Sequence, residues 1–194
     1  MKYIKFLSLL LALAGFTMTA CTSDNKPKDS EKVADKANEI KTETNRSEED
    51  AQLLVSAVSC DYFEVAAADV AATMATQASV KEFATMMKNM HPTMMEETKA
   101  LAAKKGYTVP TMMANDYTDD IQDMQKWTKG KEFDTKYIKG RIDQHQKMLD
   151  DIEKRMAATV DNDVKAWTQK ASSGMRMHLD KANKIKEQLD VTYK

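Results

Sequence analysis

Apolar residues along most of the chain recur at intervals of three and four, the spacing of one face of an α-helix. This pattern predicts four long helices, over about 47–76, 79–105, 131–158 and 162–191, and a short helix inside 115–129. The stretch Ser79-Val80-Lys81-Glu82 has the form of a capping box and predicts the start of the second long helix, which Gly106 ends. With mostly short connections, these elements predict an all-α fold: an antiparallel four-helix bundle with a short extra helix between its second and third long helices.

The N-terminus has a different pattern, that of a bacterial lipoprotein signal. Lys2 and Lys5 precede an apolar run over 6–16, shorter than the ~20 residues that a membrane-spanning helix needs. Met18-Thr19-Ala20-Cys21 then resembles a lipobox, in which Cys21 is the lipidated first residue of the mature chain. Ordinary signal cleavage near Ala20 is the alternative. We therefore predict a signal peptide over 1–20 and an exported protein, lipid-anchored on the periplasmic side or in the outer membrane.

A polar stretch follows the signal and has almost no large apolar residues. We predict a flexible tether over 21–46 that leads to the bundle domain over 47–194. A solvated helix within 31–44 is the alternative.

Composition and motifs argue against several classes of function. The 29 lysines and arginines balance 30 aspartates and glutamates, so nucleic-acid binding is not expected. Di-iron bundles use Glu-x-x-His pairs, but positions 88, 142 and 175, three residues before each histidine, hold Lys, Ile and Met. No glycine-flanked serine of the hydrolase type occurs either. The sequence therefore predicts that the protein is not an enzyme.

All three histidines fall on the apolar faces of predicted helices. If the first hairpin is centred near residue 80 and the second between 161 and 162, then Asp69, His91, His145 and His178 lie at nearly one height. Because neutral imidazole is a common metal ligand and bundle cores build such sites, this arrangement predicts a candidate metal site. The alternative is that each histidine is a core residue satisfied by hydrogen bonds.

Methionine is the second unusual feature, with 15 in the chain. Met94, Met148 and Met175 each lie three residues from a histidine and so share its helix face. Thioether and imidazole together suit copper(I), which makes copper or another transition metal the expected cofactor. The alternative is that methionine only fills an irregular core.

Several stretches of the sequence, taken in order, resemble one bacterial family. They comprise Val80-Lys81-Glu82-Phe83-Ala84, His91, Leu101–Gly106 with Pro110, Phe133–Tyr137, His145 and His178-Leu179. In this order and spacing they resemble the domain-of-unknown-function family numbered 4142. The resemblance implies a ferritin-like four-helix bundle in an exported, often lipid-anchored protein without an established activity. It also implies that Asp69 is the acid of the first long helix, whereas Met90 and Pro92 depart from the family pattern.

Two functions remain open from the sequence. The first is an envelope lipoprotein that binds or buffers a metal ion, with copper favoured, in the bundle core. The second is a non-catalytic structural or interaction protein of the cell envelope without a metal. The membrane, reached through the lipid anchor, is the one partner that the sequence predicts, and it identifies no protein partner.

Overall fold

The computed structural model describes residues 28–194, and all regular structure within this range is helical. The predicted signal peptide and the lipidation site Cys21 lie outside the described residues. The helices are α1 Ser30–Lys41, α2 Asn45–Met74, α3 Ala78–Lys105, α4 Asn115–Met124, α5 Lys131–Ala158 and α6 Asn162–Thr192. The all-α prediction is confirmed, with α4 as the short extra helix in the connection between α3 and α5.

The long helices pack as two pairs that form a helical bundle. α2 packs along α3, and α5 packs along α6. The pairs meet where α2 contacts α5 and α3 contacts α6. Among residues 28–194, no helix combines the length and the hydropathy needed to cross a membrane.

The start of α3 differs from the predicted capping box. The residue that precedes this helix is Gln77, which makes no side-chain cap. Instead, the buried Asp134 of α5 accepts hydrogen bonds from the backbone N–H groups of Thr76, at 3.0 Å, and Gln77, at 3.1 Å. Because this cap comes from another helix, α3 begins before Ser79. Its end is as predicted, at Gly106 with φ of 74°.

Part of the predicted tether is a packed helix. Residues 30–41 form α1, which contacts α2 and buries Ala34 and Asn38. The Asn38 side-chain amide donates to the Thr108 carbonyl at 2.8 Å, and its oxygen accepts from the Thr108 N–H at 2.7 Å. This two-way hydrogen bond holds α1 against the connection after α3, which explains how a polar segment packs without large apolar residues.

The buried apolar residues form two groups. The apolar cluster, near the α2–α3 turn, includes Phe63, Val80, Phe83, Phe133, Ile138 and Ile185. The sulfur cluster includes Leu53, Cys60, Met148, Leu149, Ile152, Met175 and Leu179. Along α5, His145 lies between Ile138 of the apolar cluster and Met148 of the sulfur cluster, so the histidines occupy the level where the two clusters meet.

Candidate metal centre

The three histidines meet inside the bundle. His91 of α3, His145 of α5 and His178 of α6 are at most 2% exposed. Their ring centroids lie 5.1 to 5.7 Å apart. One nitrogen from each ring can be chosen such that all three atoms lie within 4.8 Å of one another. The structure thus brings together the three imidazoles that the sequence placed at one height.

Hydrogen bonds determine which ring nitrogens carry protons. His145 Nδ1 lies 2.8 Å from the Arg141 carbonyl, which can only accept, so this nitrogen is the donor. His145 Nε2 is then an acceptor, and His178 Nδ1 donates to it over 3.1 Å. His91 Nδ1 donates to Asp61 Oδ1 over 2.7 Å. In this arrangement the Nε2 atoms of His91 and His178 carry free lone pairs, and the lone pair of His145 Nε2 becomes available to a metal ion when its hydrogen bond from His178 breaks.

Two of these nitrogens are unused. His91 Nε2 and His178 Nε2 are buried and have no hydrogen-bond partner among residues 28–194. Buried polar atoms are normally satisfied, and an unsatisfied one costs about 1–3 kcal/mol. The donor set therefore fits a metal ion, which would supply the missing interaction. The Asp61–His91 pair also has the carboxylate–histidine form that orients a metal-binding imidazole.

The environment keeps two of the imidazoles neutral. Burial is the main reason that the pKa of His145 falls to about 4; the nearby Glu64 carboxylate opposes this shift, and His91 and Arg141 add to it. Burial likewise lowers the pKa of His178 to about 3, and its imidazole neighbours act in the same direction. Protons therefore do not compete with a metal ion for these two rings at neutral pH.

Two further charged residues lie beside the histidines. Arg141 and the fully buried Glu64 form an ion pair of 3.1 Å, and Glu64 Oε1 lies 3.7 Å from His145 Nδ1. Burial alone would raise the pKa of Glu64, but the attraction of Arg141 and the imidazoles outweighs it and lowers the pKa. The pKa of Asp61 is raised by burial, against the opposing hydrogen bond from His91.

The structure does not bring Asp69 to the histidines. Its side chain is 53% exposed and pairs with Lys88 at 2.6 Å. The reason is that α2 ends at Met74 and α3 begins at Ala78, so the hairpin is centred near residue 76 rather than 80. With that centre, Asp61 lies opposite His91. Asp61 and Glu64 are acidic residues of the centre that the sequence pattern did not predict, and only the position of the α2–α3 turn could have indicated Asp61.

The predicted methionines share a cavity with part of this centre. Met94, Met148 and Met175 line a cavity of about 150 Å³. His91 and Asp61 form part of the same wall, as do Met90 and Cys60. The cavity therefore connects the sulfur-bearing side chains to the histidine centre through His91.

Comparison with known sequences places the chain in a family. Neither the curated proteins nor the solved structures gave a match. A family model described as "Domain of unknown function (DUF4142)" matches residues 35–185, which include α2 to α5, all three histidines and Asp61. The chain belongs to this family, DUF4142.

Proposed function

We propose that the protein is an envelope lipoprotein that binds and buffers a transition-metal ion through His91, His145 and His178. The observation that carries the proposal is the convergence of three buried imidazoles, two of which have an Nε2 atom without a partner. The bundle is proposed to be an antiparallel, ferritin-like four-helix bundle. Asp61 orients His91, and the Arg141 carbonyl orients His145.

Copper(I) is the ion that this site suits best. The cavity beside His91 offers the thioethers of Met94, Met148 and Met175, which are soft ligands. The buried charges also favour a monovalent ion. With both carboxylates ionised, Asp61, Glu64 and Arg141 together carry a net charge of −1. A monovalent cation bound by neutral imidazoles would neutralise the buried group as a whole, which reduces the cost of its burial.

The same geometry supports binding rather than catalysis. A di-iron centre needs several carboxylates, and of the two acids here Asp61 is bonded to His91 while Glu64 is paired with Arg141. The histidines themselves are almost completely buried. We therefore propose no reaction at this site.

Export and anchoring complete the proposal. Cys21 of the lipobox would carry the acyl chains, and the membrane would be the protein's fixed partner. Incorporation of labelled palmitate in a bacterial host tests this step. We expect labelling of the wild-type protein and none of a Cys21→Ser variant, and equal absence from both would contradict the anchor.

Metal titration tests the central proposal. Metal-free protein is titrated with Cu(I), Zn(II) and Co(II), and binding is followed by melting temperature and by the visible absorption of Co(II). We expect one ion per chain, a raised melting temperature, and loss of both effects in His178→Asn. Asp69→Asn is the matched control, since this acid lies on the surface, and it should bind like the wild type. Absence of binding by the folded wild-type protein would reject the site and favour a structural or interaction role in the envelope.

A further inference from the structure

The cavity beside His91 collects sulfur atoms from all four long helices. Cys60 belongs to α2, Met90 and Met94 to α3, Met148 to α5 and Met175 to α6. Methionine often fills gaps in a core. Here, however, the side chains surround an open space of about 150 Å³ instead of filling it. Close packing therefore does not account for the position of these sulfur-bearing side chains.

The cavity runs from the protein surface towards the histidines. Its inner wall is buried and includes Cys60, Met148, Met175 and His91, all at most 6% exposed. Its outer wall includes Met90 and Met94, which are half-buried. The exposed pair of Glu97 and Lys170, with an Nζ–O distance of 2.6 Å, lies at the outer side and links α3 to α6.

The wall chemistry selects a class of ligand. Thioethers are uncharged, lose no proton on binding, and prefer soft ions such as Cu(I) and Ag(I) to Zn(II) or Mg²⁺. The carboxylate in the inner wall, Asp61, is engaged by His91 at 2.7 Å. The Cys60 thiol stays protonated, because burial raises its pKa. Apart from His91, which belongs to the histidine centre, the methionine sulfurs are therefore the ligands that this wall offers to a cation.

We propose that this cavity is a second metal site, which takes Cu(I) or Ag(I) through the thioethers of Met90, Met94, Met148 and Met175. It lies between the surface and the histidine centre, so an ion held by sulfur can pass to His91. In this step a metal–sulfur bond breaks as a metal–nitrogen bond forms, with no electron transfer. The passage to His91 rests on the proposed function, whereas binding of the soft ion in the cavity does not.

Methionine methyl NMR with Ag(I) as a redox-inert probe tests the cavity directly. The protein is labelled with ¹³C at the methionine methyl groups and titrated with one equivalent of Ag(I). We expect shifts of the four cavity methyl signals. Met112 and Met177, which are 53% and 46% exposed and do not line the cavity, should keep theirs. Shifts confined to exposed methionines would overturn the proposal.

Leucine variants separate the cavity from the histidine centre. M94L/M148L/M175L removes three thioethers with little change in volume, a kind of substitution that cores tolerate. The matched control is M86L/M112L/M177L, which changes three methionines outside the cavity wall. We expect the first variant to lose one equivalent of bound Ag(I) and to load Cu(I) several-fold more slowly, while Co(II) binding stays unchanged. The control should behave like the wild type.

Two outcomes distinguish the two proposals. Wild-type Ag(I) stoichiometry and wild-type Cu(I) loading in M94L/M148L/M175L would overturn the cavity site. Ag(I)-induced shifts of the cavity methyl signals in a protein that binds no Co(II), Zn(II) or further Cu(I) would support the cavity site and reject the histidine centre.

Discussion

The apolar cluster and the histidine centre occupy neighbouring levels of one bundle interior but satisfy their polar groups differently. Next to the apolar cluster, the buried Asp134 receives hydrogen bonds from two backbone N–H groups and from the hydroxyls of Thr76 and Tyr193. At the histidine centre, the Nε2 atoms of His91 and His178 have no partner among the described residues. The carboxylate of Asp134 is thus satisfied by the fold itself, whereas the two imidazole nitrogens, like the hydroxyl of Tyr137 in the apolar cluster, have no partner among residues 28–194. The imidazole nitrogens differ from that hydroxyl because they can bind a metal ion.

This contrast distinguishes residues that stabilise the fold from residues that are proposed to bind a metal ion. Burial of apolar surface accounts for residues such as Phe83 and Phe133, which are fully buried among other apolar side chains. Burial of unpartnered imidazoles opposes folding. A substitution in the apolar cluster should therefore change stability alone, and a substitution at the centre should change metal affinity first.

The largest expected effect is that of Phe83→Ala in the apolar cluster. Loss of this fully buried ring should destabilise the protein by about 3–5 kcal/mol, because a cavity replaces its contacts. Urea unfolding of the metal-free protein measures the change. Metal affinity of the remaining folded protein should equal that of the wild type. A large loss of metal affinity would show that the apolar cluster and the histidine centre are coupled.

Asp61→Asn should have the next largest effect, and on metal binding. Removing the carboxylate that orients His91 should weaken metal affinity by about 10- to 100-fold, which is typical of such partners of metal-binding histidines. Competition with a chelator of known affinity measures it. Asp50→Asn is the control, because it changes a buried carboxylate that pairs with Thr159 and Arg155 away from the histidines, and it should leave affinity unchanged. Equal affinity of D61N and wild type would contradict the role of Asp61.

Acid should destabilise the metal-free protein through the centre. His145 has a pKa of about 4 in the folded protein against an ordinary value of 6.5. The unfolded chain therefore binds more protons between these values, so stability is full above pH 6.5 and falls as pH drops towards 4. The expected contribution of His145 to the slope is about 1.4 kcal/mol per pH unit, and His178, whose pKa is also lowered, adds to it. Urea unfolding at several pH values measures it, and His145→Asn should remove this contribution. An unchanged slope in the variant would show that His145 does not cause it.

Asp69→Asn should have the smallest effect. The side chains of Asp69 and Lys88 are 53% and 55% exposed, and such surface ion pairs contribute about 0–1 kcal/mol. Thermal unfolding should show little change, and metal affinity should show none. A marked loss of metal binding in this variant would show that Asp69 contributes to the metal site.

Much of this architecture could be predicted from the sequence, because its signals are local. The apolar spacing predicted the long helices, and the bounds of α5 agree at both ends. α6 begins at Asn162, as predicted, and the side chain of Asp161 caps it. The three histidines could be placed together because each shares a face with apolar neighbours on its own helix.

What the sequence could not show depends on contacts between distant residues. The α2–α3 turn lies about one helical turn from its predicted centre, because Asp134 supplies the cap from α5. That shift is the reason for Asp61, rather than Asp69, lying opposite His91. The packing of α1 similarly depends on Asn38 binding Thr108, far along the chain. No local pattern contains either contact.

The packing of α1 limits how far the bundle can lie from the membrane to which Cys21 is proposed to be anchored. With Cys21 acylated as proposed, only the residues between it and α1, which begins at Ser30, separate the bilayer from the folded body. Fully extended, this connecting segment would span roughly 30 Å. The bundle would then diffuse in two dimensions, close to the lipid headgroups. A protein that delivers or accepts the metal would then have to reach this layer next to the bilayer.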